Sequence, residues 1–248
     1  MIYLFGDSWG FSYKQVEPQV DYKDSQIFFG ADLASLIMQQ LDKPVTNLCE
    51  RGMNLYSIMA KITKCAFLFK KGDLIIVLQT DPLRSYFVPW YTNLMIPDQH
   101  IVLRHPSTML DICNIHLLTP FYTKLKILAQ SLDIQIMLHG GISAINQSLA
   151  DTIGLCHTDK SSTEVICSNF KDSYFFDAKY VIANNNYFKD RYDLYVPNEE
   201  VDTIVDNTLN KNSLWNSRPD CFTHNHTTEL GTTLVASYLS KEIQNARL

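Results

Sequence analysis

The chain predicts an α/β fold with a mostly parallel central sheet. Short apolar runs at 2–5, 45–48 and 73–78 read as strands, and segments with helical apolar spacing lie between them. Each run stops at a polar or glycine-containing turn, the pattern of repeated βαβ units.

The first run, Ile2-Tyr3-Leu4-Phe5, ends in Gly6-Asp7-Ser8-Trp9-Gly10. A buried strand that breaks into such a turn presents one hydroxyl at the carboxyl edge of the sheet, where the loops of open α/β folds form a crevice. Residues 11–29 are polar, aromatic and irregular, with Pro18 and the acidic group Glu17, Asp21 and Asp24, and read as a loop beside the serine. Asp32 then caps a helix whose apolar stripe is Leu33, Leu36, Ile37, Met38 and Leu41, ended by Lys43-Pro44. The second strand leads to Cys49-Glu50-Arg51-Gly52-Met53-Asn54 and a helix with Leu55, Ile58, Met59, Ile62, Ala66 and Leu68 on one face. The glycine at this corner is either an ordinary strand-to-helix turn or a point where the backbone approaches a ligand, with N–H groups at the helix start facing outward.

The third strand is the cleanest in the chain and ends at Gln79-Thr80-Asp81-Pro82. Residues 85–112, with Tyr86, Phe87, Pro89, Trp90, Tyr91 and Pro97, suit a lid, a pocket wall or plain packing. An amphipathic helix is expected at 115–132 and a fourth strand at 134–138, stopping at His139-Gly140-Gly141, where His139 is a candidate substrate contact. Beyond it the pattern blurs. A helix is expected within 143–153, short strands at 164–167 and 180–183, and a helix at 201–209. The stretch 142–196 reads as a peripheral elaboration of one domain spanning 1–248.

Composition narrows the partners. With 46% hydrophobic residues in 248, the chain can bury a large core. A net charge of -5 without a dense run of Lys or Arg argues against nucleic acid or an anionic membrane as the main partner. The six cysteines are scattered, without a C-x-x-C pair, and read as reduced structural thiols. No charged-then-apolar leader precedes the first strand, and the longest apolar runs fall far short of the roughly 20 residues of a spanning helix. A soluble, cytoplasmic protein is expected.

The far end of the chain supplies a base for the serine. His224 and His226 lie in a polar segment before a final helix capped by Thr228, placed to reach back over the strand ends. A serine hydroxyl needs an adjacent base with a pKa near the working pH, and imidazole fits. In an extended loop the two rings point to opposite sides, so only one of them is expected to face Ser8. A His-x-His pair also binds metal where further ligands join it. No such cluster is apparent, and neither metal nor organic cofactor is expected.

Together these pieces resemble the SGNH hydrolases, or GDSL esterase/lipase family. Gly6-Asp7-Ser8-Trp9 is similar to the family's first block, Arg51-Gly52-Met53-Asn54 to its second, and His226 to Gly231 to its last. The resemblance implies a flavodoxin-like three-layer α/β/α sandwich, Ser8 as nucleophile and His226 as base. His224 is the alternative base. Oxyanion donors would be the N–H groups of Ser8 and Gly52, with Thr80 where the family carries an asparagine. Losing one such side-chain donor costs about 10²–10³ in rate. The family's aspartate, three residues before the histidine, is replaced here by Thr223. Either Asp220 orients the imidazole over a longer loop, or a backbone carbonyl does so in a Ser–His dyad. The implied activity is cleavage of a small acyl ester, such as an O-acetyl group on a carbohydrate. A ligand-binding module with little catalysis and an acyltransferase using the same serine are the alternatives.

Overall fold

The computed structural model describes residues 1–7, 10, 32–50, 52–80, 113–141, 144–166, 222–223 and 226–246. Within these, β1 (Ile2–Phe5), β2 (Val45–Asn47), β3 (Leu74–Gln79), β4 (Gln135–Gly140) and β5 (Cys156–His157) form one sheet in the order β2-β1-β3-β4-β5. Every neighbouring pair is parallel. This is the doubly wound order of a flavodoxin-like sheet.

Side-chain alternation assigns the two cores. Ile2, Leu4, Leu74, Ile76, Leu78 and Met137 face α1 (Leu33–Leu41), the short α5 (Ser162–Ile166) and the closing α6 (Glu229–Asn245). Tyr3, Phe5, Ile75, Val77, Ile136 and Leu138 face α2 (Leu55–Lys64), α3 (Thr119–Leu132) and α4 (Gln147–Ile153). The three-layer α/β/α sandwich follows: β1 and β3 are apolar on both sides, so both sides must be covered.

Local chemistry sets the helix starts. The side chains of Asp32, Asn54, Asn146 and Thr228 accept bonds from the N–H groups of Ala34, Ser57, Leu149 and Gly231. The helix expected at 115–132 begins as a wider π turn, Cys113–Leu118, before α3. Pro120 then stands in the first turn of α3, where its missing N–H is tolerated.

Two expectations are corrected. The strand expected at 164–167 is the helix α5. Ser161 and Glu164 form a reciprocal cap, Glu164 Oε2 accepting from Ser161 N at 2.8 Å and Ser161 Oγ from Glu164 N at 3.2 Å. That pair of bonds outweighs the β propensity of Val165 and Ile166. The polar segment expected to hold both histidines instead contains a small antiparallel pair, β6 (Phe222–Thr223) and β7 (His226–Thr227). The described part of the stretch read as peripheral, 144–166, supplies β5 to the sheet and Ala150 and Ile166 to the two cores. The segments 11–29, 85–112, 180–183 and 201–209 lie outside the described residues.

β1 and β3 pack so closely that a side chain at residue 6 has no room. A Cβ on Gly6 would stand 2.6 Å from Leu78 Cβ, and one on Gly10 would stand 2.4 Å from Cys49 Sγ. Gly6→Ala is therefore expected to destabilise the fold by about 1–3 kcal/mol. Leu78→Ala keeps the opposing Cβ and is not expected to relieve the clash. Urea unfolding of the single and double variants checks both statements.

Candidate functional site

The sheet order creates one distinctive place. The next described helix after β1, α1, lies on one face of the sheet, whereas the next after β3, α3, lies on the other, so these adjacent strands connect to opposite faces. Such a switch point is where doubly wound sheets bind ligands, outside the carboxyl ends of the strands. Gly6, Asp7 and Thr80 stand there.

The turn that carries the sequence-predicted nucleophile is held from both flanks. On the β3 side, Thr80 Oγ1 donates to Asp7 Oδ2 at 2.8 Å, and both residues are buried. On the β2 side, Asn47 Nδ2 donates to the Gly10 carbonyl at 2.7 Å and to Asp32 Oδ1 at 3.0 Å, while its Oδ1 accepts from Cys49 N at 3.0 Å. Gly10 N donates to the Asp7 carbonyl at 3.2 Å, and Glu50 N to the Gly6 carbonyl at 3.1 Å. Ser8, Asp220 and His224 lie outside the described residues, as does the side chain of His226, whose backbone belongs to β7.

Thr80 was expected as an oxyanion donor. A hydroxyl has one proton, and in this arrangement it is given to Asp7, so Thr80 acts here as a strut between the ends of β1 and β3. Gly52 is half-buried with φ +69°, a left-handed conformation that favours glycine. Two residues later, Asn54 caps α2, so the helix start adjoins the Gly52 corner. Beside them Cys49 is buried, and burial, reinforced by the nearby Asp7 charge, pushes its thiol well above the ordinary range. It is a packing thiol in this state, not a thiolate nucleophile. Cys49, Cys65 and Cys156 are free thiols.

His139 is corrected as a substrate contact, because its side chain is wholly buried. Its Nδ1 lies 2.8 Å from Thr158 Oγ1 and its Nε2 2.9 Å from Ser162 Oγ. Thr158 Oγ1 already gives its proton to the Lys160 carbonyl at 2.9 Å, so it accepts from Nδ1–H, and Nε2 accepts from Ser162. The ring is thus a neutral tie between β4 and the 158–162 segment. Burial lowers its pKa to about 3, too low for a general base near neutrality.

Sequence reasoning missed Asn47, whose legible signal was a polar residue closing a strand two positions before a backbone N–H it could accept. It also missed the buried pair at the end of β3, in which Tyr122 Oη donates to Gln79 Oε1 at 2.5 Å. Among the described residues, no three His, Cys, Asp or Glu side chains are grouped to hold a metal ion. None of the described helices is long and apolar enough to cross a membrane.

Two outcomes follow. Thr80→Val, which keeps the shape and removes the donor, is expected to lower stability by about 1–3 kcal/mol, with Thr80→Ser close to wild type, as read by denaturant unfolding. For His139, the folded pKa is depressed, so the tie is intact above the ordinary histidine range. As pH falls through about 6.5 the unfolded chain takes a proton that the folded chain refuses. Between pH 7 and pH 5 this removes about 2 kcal/mol of stability. His139→Gln should lose that much of the pH dependence; an unchanged slope in the variant would refute the assignment.

No family model matches the sequence, and no curated protein matches it. Among solved structures, the chain is similar to the crystal structure of protein YxiM from Bacillus subtilis, at 13% identity and a TM-score of 0.47. The alignment covers 100% of this chain and 56% of that one, so the chain spans little more than half of that protein's length.

Proposed function

We propose that this chain is a serine hydrolase of the SGNH type that cleaves a small acyl ester, such as an O-acetyl group on a carbohydrate. One observation carries the reading. The chain leaving β1 at the β1–β3 switch point is fastened at Asp7 by Thr80 and at Gly10 by Asn47, on either side of Ser8 in sequence. A nucleophile needs a fixed approach to its substrate, and fastened strand ends supply one.

In the proposed mechanism His226 takes the Ser8 proton as the hydroxyl attacks the acyl carbonyl, then returns it to the departing alkoxide. His224 is the alternative base, and Asp220 orients the ring. The N–H groups of Ser8 and Gly52 stabilise the oxyanion, and the left-handed Gly52 corner supports that role. Water completes the reaction by hydrolysing the acyl-serine; another hydroxyl in its place would make the enzyme an acyltransferase. The chemistry calls for neither metal nor organic cofactor.

The Thr80–Asp7 bond favours a second reading, a binding module with little catalysis, because it occupies the proton an oxyanion donor would use. Turnover of p-nitrophenyl acetate separates the two. The hydrolase reading expects Ser8→Ala and His226→Ala to lower kcat by at least about 10³, with His224→Ala near wild type. Equal turnover in wild type and Ser8→Ala would leave the binding reading.

A further inference from the structure

We infer that Asn47 is a positioning residue for the proposed nucleophile, fixing the turn that carries Ser8 through the Gly10 carbonyl; this rests on the hydrolase reading above. The carboxamide of Asn47 uses its full pair of donors and one acceptor site on three separate pieces of backbone and side chain. Nδ2 gives one proton to the Gly10 carbonyl and the other to the Asp32 carboxyl, and Oδ1 holds Cys49 N–H. Gly10 is also wedged against Cys49 and Leu78, with no space for a Cβ. The chain is therefore gripped at residue 7 by Thr80 and at residue 10 by Asn47, and only two residues, Ser8 and Trp9, span the interval.

The three partners of Asn47 differ in what they do. Asp32 caps α1 and also accepts from Ser35 Oγ at 2.7 Å, and the Cys49 bond shapes the corner after β2; both are matters of folding. The Gly10 bond alone reaches the turn that contains the nucleophile. Loss of that bond should free the turn while leaving the substrate's binding surface in place, so the change appears in kcat and not in KM.

Asn47→Asp tests this, because it keeps the shape and the acceptor for Cys49 N–H but has no proton for Gly10 and sets a second carboxylate against Asp32. Adding Asp32→Asn removes that repulsion and should recover thermal stability. On p-nitrophenyl acetate the expected result is a fall in kcat of about 10²-fold with KM little changed, in both the single and the double variant. Recovery of kcat together with melting temperature in the double variant would make Asn47 a purely structural residue and overturn the inference. Ser8→Ala, run alongside, keeps the two levels apart. Turnover insensitive to Ser8→Ala defeats the hydrolase reading and this inference with it, whereas turnover that needs Ser8 but not Asn47 defeats the inference alone.

Discussion

The central constraint on this molecule is that β1 and β3 are apolar on both of their faces. Leu4, Phe5, Ile75, Ile76, Val77 and Leu78 are each almost completely excluded from solvent. At about 25 cal/mol per Å² of apolar surface, exposing either face would cost about as much as the net stability of an ordinary domain. Helices must therefore lie on both sides, and parallel strands with helical crossovers are the chain's way of putting them there. Little polar chemistry has room on the faces of such a sheet. It gathers at the carboxyl edge, where the strands run out.

That edge is ordered by hydrogen bonds between residues distant in sequence. Thr80 reaches Asp7, Asn47 reaches Gly10 and Asp32, and Tyr122 reaches Gln79, which in turn approaches the Ala144 carbonyl at 3.5 Å. Each bond joins the end of one strand to a different segment, so the ends of β1, β2 and β3 are tied to one another and to the helices behind them. Buried polar groups left unpaired are costly, and satisfied ones specify a single arrangement. The turn after β1 is held on two flanks, by bonds from Thr80 and Asn47 and by close glycine packing against Leu78 and Cys49.

The His139 tie shows how similar chemistry serves a different end one strand further along. A histidine, a serine and a threonine lie within hydrogen-bond distance, yet the imidazole is buried, neutral and bonded at both nitrogens. Its surroundings suppress the protonated form that acid–base work requires. The ring of Tyr238 on α6 stands 6.0 Å from that of His139, while Lys160 N donates to Tyr238 Oη at 3.2 Å. The cluster thus links β4, the 158–162 segment and α6, and its value is in cohesion.

Much of the scaffold was legible in the order of the residues, because burial and periodicity are local properties. The runs at 2–5 and 73–78, the stripe from Leu33 to Leu41, and the caps Asp32 and Thr228 all announce themselves within a few positions. The helix at α5 was equally legible in the Ser161-to-Glu164 spacing, which a strand reading of Val165 and Ile166 overlooked. The sequence also marked Gly6-Asp7-Ser8 as a turn at a strand end. What it did not contain was the lateral order of the strands. Only the tertiary structure decided that β1 lies between β2 and β3, that Thr80 therefore meets Asp7, that Asn47 meets Gly10, and that His139 is enclosed while the ends of β1 and β3 stand at a switch point. Those facts depend on contacts across 37 and 73 positions of chain, which no local pattern encodes and which packing alone selects.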